Sequence, residues 1–126
     1  MMIPYGRQSI SEEDIAAVEA VLRSDFLTQG PAVPRFEEAV AARVGCREAV
    51  AANSATSALH IACLALGLGP GDRLWTVPNT FVASANCGLY CGAAVDFVGI
   101  APMSCTISVT ALERKMAAAK FAGTLP

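Results

Sequence analysis

One stretch constrains the fold of this chain more than any other, namely residues 53–60, with the sequence NSATSALH. It follows a short apolar run, residues 48–52, and opens an apolar-periodic run that continues to Leu68. This order predicts a strand, a tight turn of small residues and a helix. Small side chains let a ligand approach the backbone, and the first amides of a helix have no partners inside the helix. Together with the helix dipole, these amides form a site that attracts anions.

Thr56 and Ser57 add hydroxyl donors at the same turn, so the stretch indicates a phosphate site in an α/β protein. A simpler interpretation stays open, because small and hydroxyl residues also precede helices as ordinary caps. Neither GxGxxG nor GxxxxGK(S/T) occurs in the chain, so the two common nucleotide fingerprints are absent.

The rest of the chain alternates between the helical and the extended period. We expect strands at residues 48–52, 73–77 and 93–98, and helices near residues 11–24, 34–44, 55–68, 82–91 and 108–120. Ser11 and Asp14 have the spacing of a capping box, and Gly45 suits the end of the second helix. Such alternation predicts a parallel sheet that is covered on both faces.

Ligands of parallel sheets bind at the carboxyl ends of the strands. Two loops are expected there, residues 53–57 and residues 78–81, with the sequence PNTF. Phe81 is either a plug of the core or a stacking face for a flat ligand. Its place beside a phosphate site favours stacking.

Composition and charge exclude several classes of protein. The chain has 126 residues and a net charge of -2 without a run of either sign, which argues against a nucleic-acid partner. It is 54% hydrophobic and 16% charged, so part of its surface is expected to be covered by something else. No apolar run has the length of a membrane span, and the N-terminus has no signal-peptide pattern. We expect a cytoplasmic protein with no membrane partner.

Five cysteines have mainly apolar neighbours: Cys46, Cys63, Cys87, Cys91 and Cys105. Cys87 and Cys91 have i,i+4 spacing, and His60 is the only histidine in the sequence. A metal site would need further ligands nearby. We therefore expect small buried hydrophobic residues in a reducing compartment, and no metal.

Four stretches together resemble one family: Tyr5, LTQGP at residues 27–31, NSATSAL at 53–59 and PNTFVASAN at 78–86. Their order and spacing look like the N-terminal part of the sugar aminotransferases of the DegT/DnrJ/EryC1/StrS family, most of all its pseudaminic-acid branch. The likeness extends to about Val98 and is weaker after it.

The resemblance implies an α/β fold, the N-terminal part of the large domain of a fold-type-I pyridoxal-phosphate (PLP)-dependent transferase. Three strands would alternate with helices in an incomplete sheet, because the strands that flank the first one come later in such enzymes. Residues 1–33 would form an N-terminal arm, a helix and a substrate loop, and residues 34–126 a partial PLP-binding large domain.

The resemblance also assigns residues. Ala55 and Thr56 would bind the phosphate of PLP, and Phe81 would stack on its pyridine ring. The nucleotide sugar would contact Tyr5, Asp25, Phe26, Leu27, Thr28 and Ala55. The reaction would be amino transfer from glutamate to the C4 ketone of a UDP-linked 4-keto-6-deoxy sugar, giving a UDP-amino sugar, in a homodimer.

A Schiff-base lysine and an acid on the pyridine nitrogen are also needed. The chain has two lysines, Lys115 and Lys120, which we expect to be solvated residues of the last helix. No catalytic residue is therefore assigned, and the catalytic lysine is expected beyond Pro126. This chain alone would then be inactive.

Three alternatives stay open. One is an aminotransferase for another nucleotide sugar, of the perosamine or 4-amino-arabinose type. Another is a catalytically inactive remnant or a nucleotide-binding module. The third is a generic flavodoxin-like or Rossmann domain, against which the missing glycine fingerprint argues.

Overall fold

The computed structural model describes residues 6–125, which form two compact units, one ending at Ala51 and the other starting at Ala52. The first unit holds α1 (Glu12–Leu22) and α2 (Ala32–Val44). The second runs α3 (Ala55–Ala65), β1 (Arg73–Thr76), α4 (Ala83–Tyr90), β2 (Ala94–Phe97) and α5 (Val109–Ala122). None of the described helices combines the length and the apolar character that crossing a bilayer requires.

Local signals set the ends of the first two helices. The Ser11 hydroxyl accepts a hydrogen bond from the Asp14 amide at 3.2 Å, and the Asp14 carboxylate accepts one from the Ser11 amide at 2.8 Å. This is the predicted capping box, and its hydrogen bonds lower the pKa of Asp14. Gly45 ends α2 in the left-handed conformation, with φ of 70°, as predicted.

The sheet of the described residues has two parallel strands, with Leu74 opposite Val95 and Trp75 opposite Asp96. Helix α4 connects the strands and packs against the face that carries Leu74 and Val95. Side chains alternate along a strand, so Trp75 and Asp96 lie on the other face, where α5 places Lys115. The predicted parallel pairing is thus confirmed for these two strands. The prediction that both faces are covered is not met in full, because three of the four residues of β2 are exposed, among them Asp96 and Phe97.

The first predicted strand, residues 48–52, is wrong. This segment has no regular secondary structure and pairs with no strand of the described residues, and its Ala51 amide donates to the Glu37 carboxylate at 2.7 Å. A strand needs the backbone of a neighbour to satisfy its amides and carbonyls, and residues 6–125 offer none here. The apolar run is visible in the sequence, but a strand forms only where a second segment pairs with it.

Few side chains of the described residues are fully buried. They are small, and most belong to the second unit: Ala83, Cys87, Ala93, Val98 and Ala119 there, and Ala41 in the first. Helical periodicity places Phe36 and Val44 on one apolar face of α2, where a buried position would be expected, yet they are 60% and 67% exposed. Helical periodicity identified α2 correctly, but periodicity does not supply the partner that would bury its apolar face.

A substitution at Gly88 tests how closely α4 packs against the sheet. A Cβ atom there would lie 3.0 Å from both Leu74 Cβ and Val95 Cγ2, so a larger residue would force these side chains to shift by a few tenths of an ångström. We expect Gly88→Val to lower the free energy of unfolding by about 1–3 kcal/mol through overpacking. Denaturant unfolding measures it. Leu89→Val is the control, because it places valine at an exposed site of the same helix; equal losses for both variants would contradict the close packing.

Candidate active site

The N-terminus of α3 is built by a serine cap. Ser54 has an extended backbone, and its hydroxyl oxygen accepts a hydrogen bond from the Ser57 amide at 3.1 Å. The two hydroxyl groups of Ser54 and Ser57 also lie 3.0 Å apart. The cap satisfies one of the free amides of the first turn and so stabilises the start of the helix at Ala55.

Two amides of this first turn stay available to a ligand. The Ser57 amide is used by the cap, whereas the amides of Ala55 and Thr56 have no acceptor among the described residues. The Thr56 side chain is half-buried and Ala55 is exposed. Unpaired amides, a hydroxyl group and the positive end of the helix dipole suit a phosphate group.

Phe81 lies two residues before α4, in the loop that follows β1. It is 74% exposed, so it is not a plug of the core. The Phe81 carbonyl accepts from the Ser84 amide at 3.0 Å, which fixes its backbone to the first turn of α4. An exposed ring on a fixed backbone can stack on a flat ligand.

Helix α3, which begins with Ala55 and Thr56, packs against α4, the helix that follows the loop of Phe81. His60 of α3 and Tyr90 of α4 meet edge to face, with ring centroids 5.3 Å apart. Thus Ala55 and Thr56 begin one helix of a packed pair in the second unit, and Phe81 lies in the loop that leads into the other.

The helix pair also gathers three thiol groups, those of Cys63, Cys87 and Cys91. Burial and the two neighbouring thiols raise the pKa of Cys63 to about 11. The expectation of buried cysteines is confirmed for Cys87, whereas Cys63 and Cys91 are half-buried. It is wrong for Cys46 and Cys105, which are exposed because they lie in loops. Within residues 6–125, no group of three or more His, Cys, Asp or Glu side chains is arranged to hold a metal ion.

The predicted substrate loop belongs to the first unit. Phe26 and Leu27 are 58% and 66% exposed, and the Phe26 amide donates to the Ser24 hydroxyl at 3.3 Å. A Cβ atom on Gly30 would lie 2.6 Å from Phe26 Cβ, so the loop folds tightly on itself. Asp25 and Thr28 lie in the same exposed loop, whereas Tyr5 lies outside the described residues.

Sequence reasoning missed Ser24. It donates to the Val21 carbonyl at 2.8 Å as it accepts from Phe26, and so ties the loop to the end of α1. The signal was present, since a serine just after a helix often bonds to nearby backbone groups.

The expectation of a solvated side chain is wrong for Lys115. Its ammonium group forms an ion pair with Asp96, donates to the Phe97 carbonyl at 2.7 Å and lies 5.2 Å from the centre of the Trp75 ring. Only 24% of its side chain is exposed. This lysine fastens α5 to the end of β2, while Lys120 is exposed as expected.

Comparison with known proteins shows the family to which this chain belongs. Residues 8–122 match the sequence profile of the DegT/DnrJ/EryC1/StrS aminotransferase family. The chain belongs to this family. The resemblance found in the sequence motifs is therefore confirmed.

Two curated relatives illustrate the match. The chain is 46% identical over 99 residues to the UDP-4-amino-4,6-dideoxy-N-acetyl-beta-L-altrosamine transaminase of Campylobacter jejuni, covering 79% of this chain and 26% of the relative. It is 41% identical over 111 residues to the spore coat polysaccharide biosynthesis protein SpsC of Bacillus subtilis, covering 88% and 28%. The chain thus spans little more than a quarter of these relatives.

A solved structure confirms the fold class. The PLP form of Spr1654 from Streptococcus pneumoniae superposes with a TM-score of 0.84 at 30% identity, covering 89% of this chain and 29% of that protein. The described elements are therefore a part of the aminotransferase fold, with an α/β arrangement and an incomplete sheet.

The Lys115–Asp96 ion pair predicts a dependence of stability on pH. Hydrogen bonding by Lys115 lowers the pKa of Asp96, so the pair stabilises the fold above the pKa of an unfolded aspartate. This contribution is lost as the pH falls through the lowered pKa of Asp96. We expect Lys115→Met to reduce the melting temperature at neutral pH, by an amount that shrinks below about pH 4.

Thermal unfolding across that pH range measures the effect. Lys120→Met is the control, because this lysine is exposed on the same helix. A deficit of Lys115→Met that stayed constant down to acid pH would show that the charge of Asp96 does not contribute.

Proposed function

We propose that this chain is the N-terminal part of a PLP-dependent aminotransferase. The enzyme would transfer the amino group of glutamate to the C4 ketone of a UDP-linked 4-keto-6-deoxy sugar. The observation that carries the proposal is the start of α3 in a member of this family, where the amides of Ala55 and Thr56 have no acceptor within residues 6–125. The helix that follows the exposed Phe81 packs against α3.

The described residues fit the cofactor. The unpaired amides of Ala55 and Thr56 and the Thr56 hydroxyl would bind the phosphate group. The ring of Phe81, which packing does not cover, would stack on the pyridine ring. Bound PLP supplies an electron sink for the carbanion chemistry of amino transfer.

The catalytic lysine is proposed to lie outside these residues. Lys115 is held by Asp96, the Phe97 carbonyl and the Trp75 ring, and these contacts do not leave its amine free to react. By itself this chain would therefore be inactive, and the complete enzyme would act in the cytoplasm as a homodimer.

The substrate proposal rests on two supports. The first is the higher identity to the altrosamine transaminase, 46% against 41% for the spore coat protein. The second is the exposed loop that would contact the nucleotide sugar, which the Ser24 bond ties to α1. The proposed substrate contacts are Tyr5, Asp25, Phe26, Leu27, Thr28 and Ala55.

A second candidate is an aminotransferase for a different nucleotide sugar. The match to the spore coat polysaccharide protein favours it, because that match covers more of the chain, 88% against 79%.

We also propose a division of this chain into residues 1–33, an N-terminal arm, helix and substrate loop, and residues 34–126, a partial PLP-binding domain.

An amino-transfer assay separates the candidates. We expect the full-length protein, with PLP and glutamate, to convert a UDP-linked 4-keto-6-deoxy sugar with release of 2-oxoglutarate. A 4-keto pentose sugar and a GDP-linked 4-keto-6-deoxy sugar serve as the competing substrates. Faster turnover of a competing sugar would move the assignment to the second candidate, and no turnover of any would support an inactive remnant.

Cofactor binding tests the site residues directly. We expect Thr56→Val and Phe81→Leu each to weaken PLP binding by about tenfold or more, since each removes one contact of the ligand. Absorbance titration of the apoprotein measures the dissociation constant.

The chain offers a matched control for Thr56. Thr110 is also the second residue of a helix capped by serine, because Ser108 caps α5 as Ser54 caps α3. Thr110→Val should leave the affinity for PLP unchanged. Equal effects at Thr56 and Thr110 would contradict the assignment of the phosphate site.

A further inference from the structure

Core packing does not hold the side chain of Phe81 in place. The residue is 74% exposed, so few neighbours restrict the ring. The backbone of its loop, residues 78–82, which we call the Phe81 loop, then sets the position from which the ring projects towards a ligand.

One end of the Phe81 loop is fixed by α4. The Ser84 amide donates to the Phe81 carbonyl at 3.0 Å, and the hydroxyl groups of Thr80 and Ser84 are 3.0 Å apart. These contacts are local, within four residues, and they move with the helix.

The other end is fixed by a distant segment. The side-chain amide of Asn79 donates to the Cys105 carbonyl at 3.4 Å, across 26 positions of sequence. Cys105 belongs to the loop after β2, residues 99–108, which we call the β2 loop. Both loops follow the carboxyl ends of parallel strands, which lie at one edge of the sheet.

The β2 loop is itself well anchored. Two backbone hydrogen bonds join its ends. The Ser108 amide donates to the Gly99 carbonyl at 2.9 Å, and the Ala101 amide donates to the Thr106 carbonyl at 2.9 Å. Cys105 is held in the left-handed region with φ of 56°, which residues other than glycine rarely adopt. A loop with these constraints can hold a partner in place.

We propose that Asn79 is a positioning residue, whose bond to the β2 loop fixes the Phe81 loop and thereby the ring that stacks on the cofactor. This inference rests on the proposed function, since it concerns how Phe81 meets PLP. Asn79 acts through Phe81 and does not contact the reacting atoms.

The test compares cofactor affinity among variants of the full-length protein. Asn79→Ala removes the amide, and Asn79→Asp keeps the shape but puts a carboxylate against the Cys105 carbonyl. Both should raise the dissociation constant of PLP by about two- to fivefold, the effect of one lost hydrogen bond that is exposed to solvent. At saturating PLP, kcat should stay close to that of the wild type.

Met103 provides the matched control and hydrogen exchange a second readout. Met103 is 97% exposed in the β2 loop, so Met103→Ala should bind PLP normally. In Asn79→Ala without PLP, amides of residues 99–108 should exchange faster than in the wild type. This measurement reports on the bond even where PLP binding is weak.

The outcomes separate the two proposals. Wild-type affinity and unchanged exchange in Asn79→Ala, with normal PLP binding by the wild type, would overturn the role of Asn79 alone. Equal losses of affinity in Asn79→Ala and Met103→Ala would also overturn it. If the wild-type protein bound no PLP at all, the proposed function would fail, and this inference with it.

Discussion

The structure depends on one constraint, that a parallel strand must find a partner for its backbone and an element that packs against at least one of its faces. β1 and β2 satisfy each other along one edge, α4 covers one face, and Lys115 of α5 contacts the other. The approach of α4 is possible because Gly88 has no side chain to meet Leu74 and Val95. Where the constraint is not met, as at residues 48–52, no strand forms.

The same arrangement creates the candidate active site. Parallel strands joined by a helix bring the loops that follow them to one edge, so the Phe81 loop and the β2 loop can be linked through Asn79. Helix α4, which follows Phe81, packs against α3. The first two amides of α3, those of Ala55 and Thr56, have no acceptor among the described residues. In this protein, the backbone geometry of loops and helix ends therefore matters as much as the choice of side chain.

Much of this could be predicted from the sequence. The capping box at Ser11, the stop at Gly45 and the start of α3 at Ala55 depend on neighbouring residues, and all three were predicted correctly. The exposed Phe81 and the family also followed from local motifs. Lys115 was misjudged because its partners, Asp96 and the Phe97 carbonyl, lie on a distant strand.

By itself, then, the sequence determined the helices, their caps and the motifs that identify the family, because each depends on interactions within a few residues. Tertiary structure alone decided which segments became strands, which cysteine was buried and which lysine formed an ion pair with an aspartate. It also decided that Asn79 would reach Cys105. These outcomes require two segments to meet, and the free energy of that contact is not encoded in either segment alone.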